Sequence, residues 1–144
     1  MTYSNCIQAI GNTRFTEGET WAIPMRLVWP DGSYFDLSTS GTDGIVDIDV
    51  AVFDLDAPTN PQVAIYGPTW SVANPYLYSS LQVDGYWTVD NVGYNARPTF
   101  PVGFAETSGG HRYAVELTFN PHASNVYGQK VARFQVDVDS AVST

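Results

Sequence analysis

Residues 20–29 read Thr-Trp-Ala-Ile-Pro-Met-Arg-Leu-Val-Trp, and their alternation decides the class of fold. Every second residue from position 21 is large and apolar, which places these side chains on one face of an extended strand. They are Trp21, Ile23, Met25, Leu27 and Trp29. Because Pro24 lacks a backbone N–H group, we expect this strand to lie at a sheet edge or to break into two pieces there.

A tight turn is predicted directly after this strand. Residues 30–32 read Pro-Asp-Gly, in which proline presets one backbone angle and glycine accepts a positive one. Residues 33–37 then resume an extended pattern, so the two segments together predict a hairpin.

Three later segments repeat the period of two. From Val46 to Val52 apolar residues alternate with Asp47, Asp49 and Ala51. The apolar positions change parity at Phe53, which predicts a β-bulge near Val52 or Phe53 that re-aims the side chains. Two late strands have inward positions at Tyr113, Val115, Leu117 and Phe119, and at Ala132, Phe134, Val136 and Val138.

The middle of the chain, residues 62–105, is rich in proline and aromatic residues and is interpreted as an insertion or loop region. Inside it, residues 81–83 and 86–89 flank Asp84 and Gly85, a dipeptide typical of a two-residue hairpin turn. We therefore expect a hairpin at this point, with loops and short strands around it.

The pattern predicts an all-β fold. Seven to nine strands in 144 residues favour one antiparallel β-sandwich domain spanning residues 1–144, since two half-apolar sheets bury each other. A closed barrel is the alternative, and periodicity does not separate the two.

Composition and charge exclude several classes of function. The chain has 15 acidic and 6 basic residues and a net charge of -9, which repels nucleic acid. Its one cysteine, Cys6, excludes an intrachain disulfide and a multi-cysteine metal site. No apolar run is long enough to span a membrane, and the first twenty residues do not resemble a signal peptide. We expect synthesis in the cytoplasm and, if the protein acts outside a cell, release after assembly, as in a virus particle.

Reactive groups are present without a recognisable catalytic pattern. A group of aspartates at positions 47, 49, 54 and 56 suggests calcium, yet residues two apart on a strand do not converge and no calcium-loop motif occurs. His111 and His122 belong to no zinc or triad motif. We predict no cofactor, no metal and no enzymatic activity; a hydrolase acting on cell-wall sugar or peptide, with two carboxylates, is a further alternative.

Aromatic residues in the middle of the chain are the candidate interface. Exposed rings on rigid loops anchor protein contacts, stack on sugar rings, or else simply fill the core. The candidate contact residues are Trp70, Tyr76, Tyr78, Trp87, Tyr94 and Phe100.

The two ends of the chain resemble a known family. Residues 15–21 read Phe-Thr-Glu-Gly-Glu-Thr-Trp and lead into the first strand, and Pro-Asp-Gly-Ser at 30–33 precedes Phe-Asp-Leu-Ser at 35–38. With the second strand at 46–55, these segments are similar to the start of a small immunoglobulin-like module common in bacteriophage tail and baseplate proteins, such as the N-terminal domains of upper baseplate proteins. Residues 108–117 and 129–139 resemble its late strands, and residues 62–105 have no counterpart.

The resemblance implies a non-enzymatic structural component of a bacteriophage particle, in the tail, baseplate, fibre adaptor or head decoration. Its expected partners are other phage structural proteins and further copies of itself, and its expected location is the virion. The alternative is a carbohydrate-binding module that recognises glycan on the host surface. Neither nucleic acid nor membrane insertion is expected.

Overall fold

The computed structural model describes residues 7–30, 32, 34, 45–71, 77–100, 110–122 and 128–140. Within these residues the protein is all-β and contains no helix, which confirms the predicted class. Cys6, Tyr76 and most of the predicted strand at 33–37 lie outside the described residues.

Twelve strands occur in the described residues, more than the seven to nine expected, because several are only two or three residues long. They are β1 (Ile7–Ile10), β2 (Arg14–Thr16), β3 (Trp21–Ala22), β4 (Met25–Leu27), β5 (Ile45–Asp54), β6 (Ala64–Tyr66), β7 (Thr69–Ser71), β8 (Leu77–Gln82), β9 (Tyr94–Ala96), β10 (Thr99–Phe100), β11 (His111–Pro121) and β12 (Lys130–Asp139).

The strands form three sheets. A six-stranded sheet has the order β2-β12-β11-β5-β6, with β7 also paired to β5. A four-stranded sheet has the order β1-β4-β9-β8, and β10 pairs with β3. The described part of the chain is thus compatible with a β-sandwich.

One strand pair departs from the predicted antiparallel arrangement. β2 runs parallel to β12 at the edge of the six-stranded sheet. The Arg14 guanidinium donates two hydrogen bonds of 2.8 Å to the Asp139 carboxylate, and the backbone N–H of Asp137 donates to the Thr13 carbonyl. These contacts join segments at opposite ends of the chain, which no local pattern could indicate.

The long strands β5, β11 and β12 form the centre of the six-stranded sheet. Val115 lies opposite Val52 on one side and Phe134 on the other, and the ladder extends along almost the whole of β11. The predicted inward residues of β11 are all buried: Tyr113, Val115, Leu117 and Phe119. Alternation therefore predicted the strands and most of their inward positions. Val46, expected to face inward on β5, is 38% exposed and Ile45 is buried instead, because the register with β11 shifts between Asn120 and Pro121.

The strand predicted at 20–29 breaks at Pro24 into β3 and β4, as expected, and its five alternating apolar residues are all buried. Because of the break, the residues on either side of it hydrogen-bond to different parts of the chain. Ile23 donates its N–H to the Pro98 carbonyl beside β10, and the Pro24 carbonyl accepts from Gly11 beside β1. Beyond β4, Gly32 donates to the Trp29 carbonyl, which agrees with the predicted turn.

The predicted irregularity in β5 is present, but its predicted effect is wrong. The register with β6 shifts between Val52 and Phe53. The side chains nevertheless keep their faces, because the ladder with β11 continues without interruption at this point. The inward position is taken by Asp54, which is buried and contacts His111 Nδ1 at 2.8 Å.

The described residues of the segment 62–105 contribute strands to all three sheets. β6 and β7 belong to the six-stranded sheet, β8 and β9 to the four-stranded one, and β10 pairs with β3. The two-residue hairpin predicted at Asp84 and Gly85 is wrong. β8 and β9 do pair, but they are joined by an eleven-residue loop, residues 83–93, in which residues 86–89 form no strand.

Candidate functional site

The loop of residues 83–93 carries the largest exposed apolar side chains of its region. Their exposed fractions are 62% for Val83, 57% for Tyr86, 53% for Val89 and 43% for Val92. We call these four residues the loop surface. Single exposed apolar residues are ordinary on proteins, but four in ten consecutive residues concentrate apolar area on one connection.

Asp84 holds the first half of the loop in place. Its carboxylate accepts hydrogen bonds from the Tyr86 backbone N–H at 2.9 Å and from the Tyr94 hydroxyl at 2.6 Å. The backbone N–H of Trp87 donates to the backbone carbonyl of Asp84. The bond from Tyr94 lowers the pKa of Asp84, while burial and the same bond raise the pKa of Tyr94 well above its usual value. The carboxylate is therefore ionised near neutral pH and fixes the turn.

Asp90 holds the second half. One carboxylate oxygen accepts from the Trp87 indole Nε1 and from the Val92 N–H, both at 2.9 Å. Arg26 on β4 donates two further bonds, at 2.9 and 2.8 Å, with its guanidinium 5.3 Å from the centre of the Trp87 ring. The bond with Arg26, then those from Trp87 and Val92, hold the pKa of Asp90 far below its usual range. One carboxylate thus ties the loop to the four-stranded sheet.

Gly93 closes the loop where only glycine fits. Its φ is 102°, and a Cβ at this position would clash with the Gln82 carbonyl oxygen. Both the backbone conformation and the close approach to β8 require the absence of a side chain.

Tyr86 is supported from beneath by a cation. The guanidinium carbon of Arg97 lies 4.1 Å from the centre of the Tyr86 ring, within the range of a cation–π contact. Two acidic and two basic residues belong to the loop or contact it, namely Asp84, Asp90, Arg26 and Arg97, so these four charges balance in a chain of net charge -9.

The aromatic residues predicted to form an interface are not among the exposed residues of the loop surface. Four are buried: Trp70 and Phe100 in the core beside Trp21, and Trp87 and Tyr94 beneath the loop. Trp70 contacts Phe100 and Trp87 contacts Tyr94, and none of the four rings is exposed, which corrects the expectation of an exposed aromatic face built from them. Tyr78 is half-buried with its ring against Tyr94, and Tyr76 is outside the described residues.

Sequence reasoning missed the valines of the loop surface. The predicted hairpin places Val83 and Val89 in strands, because Asp84 and Gly85 indicate a tight turn. The signal that could have found the loop is the pair of aspartates, each two residues before a backbone N–H that it accepts. Asparagine and aspartate side chains compete with strand ladders in this way.

Several other charged groups of the described residues form ordinary ion pairs and hydrogen bonds. Asn120 donates to Asp47 at 2.7 Å and to Asp49 at 2.9 Å, which also lowers the pKa of Asp49. Two bonds from Arg112 and one from its backbone N–H lower the pKa of Asp56 to about 2. Among the residues that the structure describes, no three acidic, histidine or cysteine side chains are grouped to hold a metal ion.

Comparisons of the chain with protein-family models, with curated proteins and with solved structures gave no significant match. Over the described ranges, no helix has the length and apolar character needed to cross a bilayer.

Proposed function

We propose that this protein is a non-enzymatic assembly component of a bacteriophage particle, and that it docks on a neighbouring structural protein through the loop surface. The observation that carries the docking proposal is the combination of exposure and rigidity. Val83, Tyr86, Val89 and Val92 are exposed, yet Asp84 and Asp90 hold the loop that presents them. A preorganised apolar surface loses little conformational entropy on binding.

The phage part of the proposal rests on the resemblance of residues 15–38, 46–55, 108–117 and 129–139 to immunoglobulin-like tail and baseplate modules. With it goes the finer proposal that the sheets form an immunoglobulin-like sandwich. Shared burial supports this: Trp21 of β3 packs against Phe100 of β10 and Tyr113 of β11, so strands of two sheets meet in one core. The proposed location is the virion, with assembly in the host cytoplasm.

The composition of the loop surface favours a protein partner over a glycan. Sugar sites combine flat rings with polar groups for the hydroxyls. Three of the four loop-surface residues are valines, and the one ring, Tyr86, has Arg97 on one of its faces. Apolar side chains of this kind match the centre of a protein–protein interface.

The test replaces valines of the loop surface with serine and measures assembly. Tagged chain is expressed in the cells that naturally produce it, and particles are separated from free protein on a density gradient. Burying each half-exposed valine stabilises a complex by about 1 kcal/mol, so Val83→Ser and Val89→Ser should each weaken docking about fivefold and the double variant more strongly.

The matched control is Val46→Ser on β5, which removes an exposed valine at 38% exposure away from the loop. It should enter particles as the wild type does. Wild-type incorporation of the double variant, or a wild-type chain that never leaves the free fraction, would contradict the proposal. Binding of the purified chain to host-surface glycan that is lost in the double variant would favour the carbohydrate alternative instead.

A further inference from the structure

The second surface of interest is the outer edge of the six-stranded sheet at β6. No strand lies beyond β6 in the described part of the chain. Val63 is 56% exposed and Ile65 45%, and Ala64 between them is also exposed. Outermost strands offer unpaired N–H and C=O groups to another chain, and proteins commonly protect them with charged side chains or proline. We call residues 63–65 the β6 edge. These three residues include neither a charged side chain nor a proline.

The sequence that contains the β6 edge is uncharged over a long stretch. Residues 57–83 contain no acidic, basic or histidine residue, although the whole chain has a net charge of -9. The nearest preceding acids are already paired, Asp54 with His111 at 2.8 Å and Asp56 with Arg112 at 2.9 Å. Asp49, which accepts from the Thr69 hydroxyl at 2.8 Å, lies beside β7 and not at the β6 edge. A basic partner would therefore find no carboxylate in residues 57–83 themselves, whereas an identical edge would meet no like charge from them.

An apolar groove adjoins the β6 edge. It has a volume of about 450 Å³ and is lined by Phe53, Leu55, Pro61, Gln62 and Arg133. Arg133 donates to Glu116 at 2.9 Å and lies over the Phe53 ring, so its charge is matched. The groove lies on the β5 side of the β6 edge, so apolar surface continues from the edge strand onto the adjoining face of the sheet.

We propose that the β6 edge pairs with the β6 edge of a second copy of this chain, antiparallel about a two-fold axis near Ile65. In such an arrangement each residue meets the same surface on its partner, so a charge-free patch is the part of a strongly acidic chain that suits self-contact. The pairing would join two six-stranded sheets into one and cover Val63 and Ile65 on both copies. It does not depend on the loop surface.

The test is sedimentation velocity of the purified full chain over a wide range of concentration. The wild type should show a concentration-dependent monomer–dimer equilibrium. Ile65→Asp and Ile65→Lys each place like charges across the axis and should weaken dimerisation by about tenfold or more. An equimolar mixture of the two variants should dimerise again, because opposite charges then meet.

Val83→Asp on the loop surface is the control and should dimerise as the wild type does, which separates this proposal from docking through the loop. Thermal unfolding checks that the variants fold. If Ile65→Asp does not fold, Val63→Asp is used in its place. A wild type that stays monomeric, folded Ile65 variants that dimerise normally, or a mixture that fails to recover would each overturn the proposal.

Discussion

The central ladder of β5, β11 and β12 and the loop of residues 83–93 are ordered by different physical means. In the ladder, apolar side chains alternate inward and the backbone groups pair strand to strand. In the loop, two carboxylates collect backbone and side-chain donors, and the valines face outward. Burial thus orders the ladder, whereas hydrogen bonding orders the loop and leaves its apolar side chains exposed.

Substitutions in the two regions should change the free energy of unfolding by different amounts. A residue of the ladder contributes to the free energy of unfolding of the whole domain, since its neighbours all share one core. A residue of the loop surface contributes little to folding, because its side chain is largely in water. The anchors of the loop, Asp84, Asp90 and Gly93, lie between these two limits.

The largest effect is expected in the ladder. Leu117→Ala should lower the free energy of unfolding by about 2–5 kcal/mol, because Leu117 is 1% exposed and the side chain leaves a cavity. Urea denaturation measures the change. Thr118→Ala is the matched control on the same strand with its side chain on the outer face, and should cost less than about 1 kcal/mol. Equal costs for the two variants would contradict the assignment of faces.

The next effect is expected at the closure of the loop. Gly93→Ala should destabilise the protein by more than about 1 kcal/mol, because φ is positive and the new Cβ meets the Gln82 carbonyl. Gly85→Ala in the same loop has open space around its Cβ and no positive φ, so its stability should stay within about 0.5 kcal/mol of the wild type. Thermal unfolding compares the pair. A harmless Gly93→Ala would show that the loop is not closed in this way.

The smallest effect is expected from pH. The lowered pKa of Asp90 means that its contribution to stability is complete above about pH 3.9, the usual value for aspartate, and is lost as the pH falls through the folded-state pKa. The NMR signal of the Trp87 indole N–H, which bonds to Asp90, should therefore stay constant above about pH 4 and shift only in more acidic solution. Asp90→Asn removes the titration and should remove that shift, whereas a shift near neutral pH would contradict the lowered value.

Much of the fold could be predicted because it follows from short-range pattern. The faces of β11 and β12, the break at Pro24 and the irregularity near Val52 all come from residues within a few positions of one another. The candidate site could be predicted only in part. Residues 62–105, the predicted region of contact, contain the loop surface, but four of the rings chosen there are buried whereas Val83, Val89 and Val92 are exposed.

Alternation along a strand is a property of neighbouring residues, so the amino-acid sequence by itself determined the all-β class and most inward positions of the long strands. Which strands pair depends on segments far apart, as with the parallel contact between β2 and β12. Whether a ring such as Trp87 lies inside or outside depends on Arg26 and Asp90, 61 and 3 residues away along the chain. Only the tertiary structure decides such matters, because burial is set by what the rest of the chain places over a side chain.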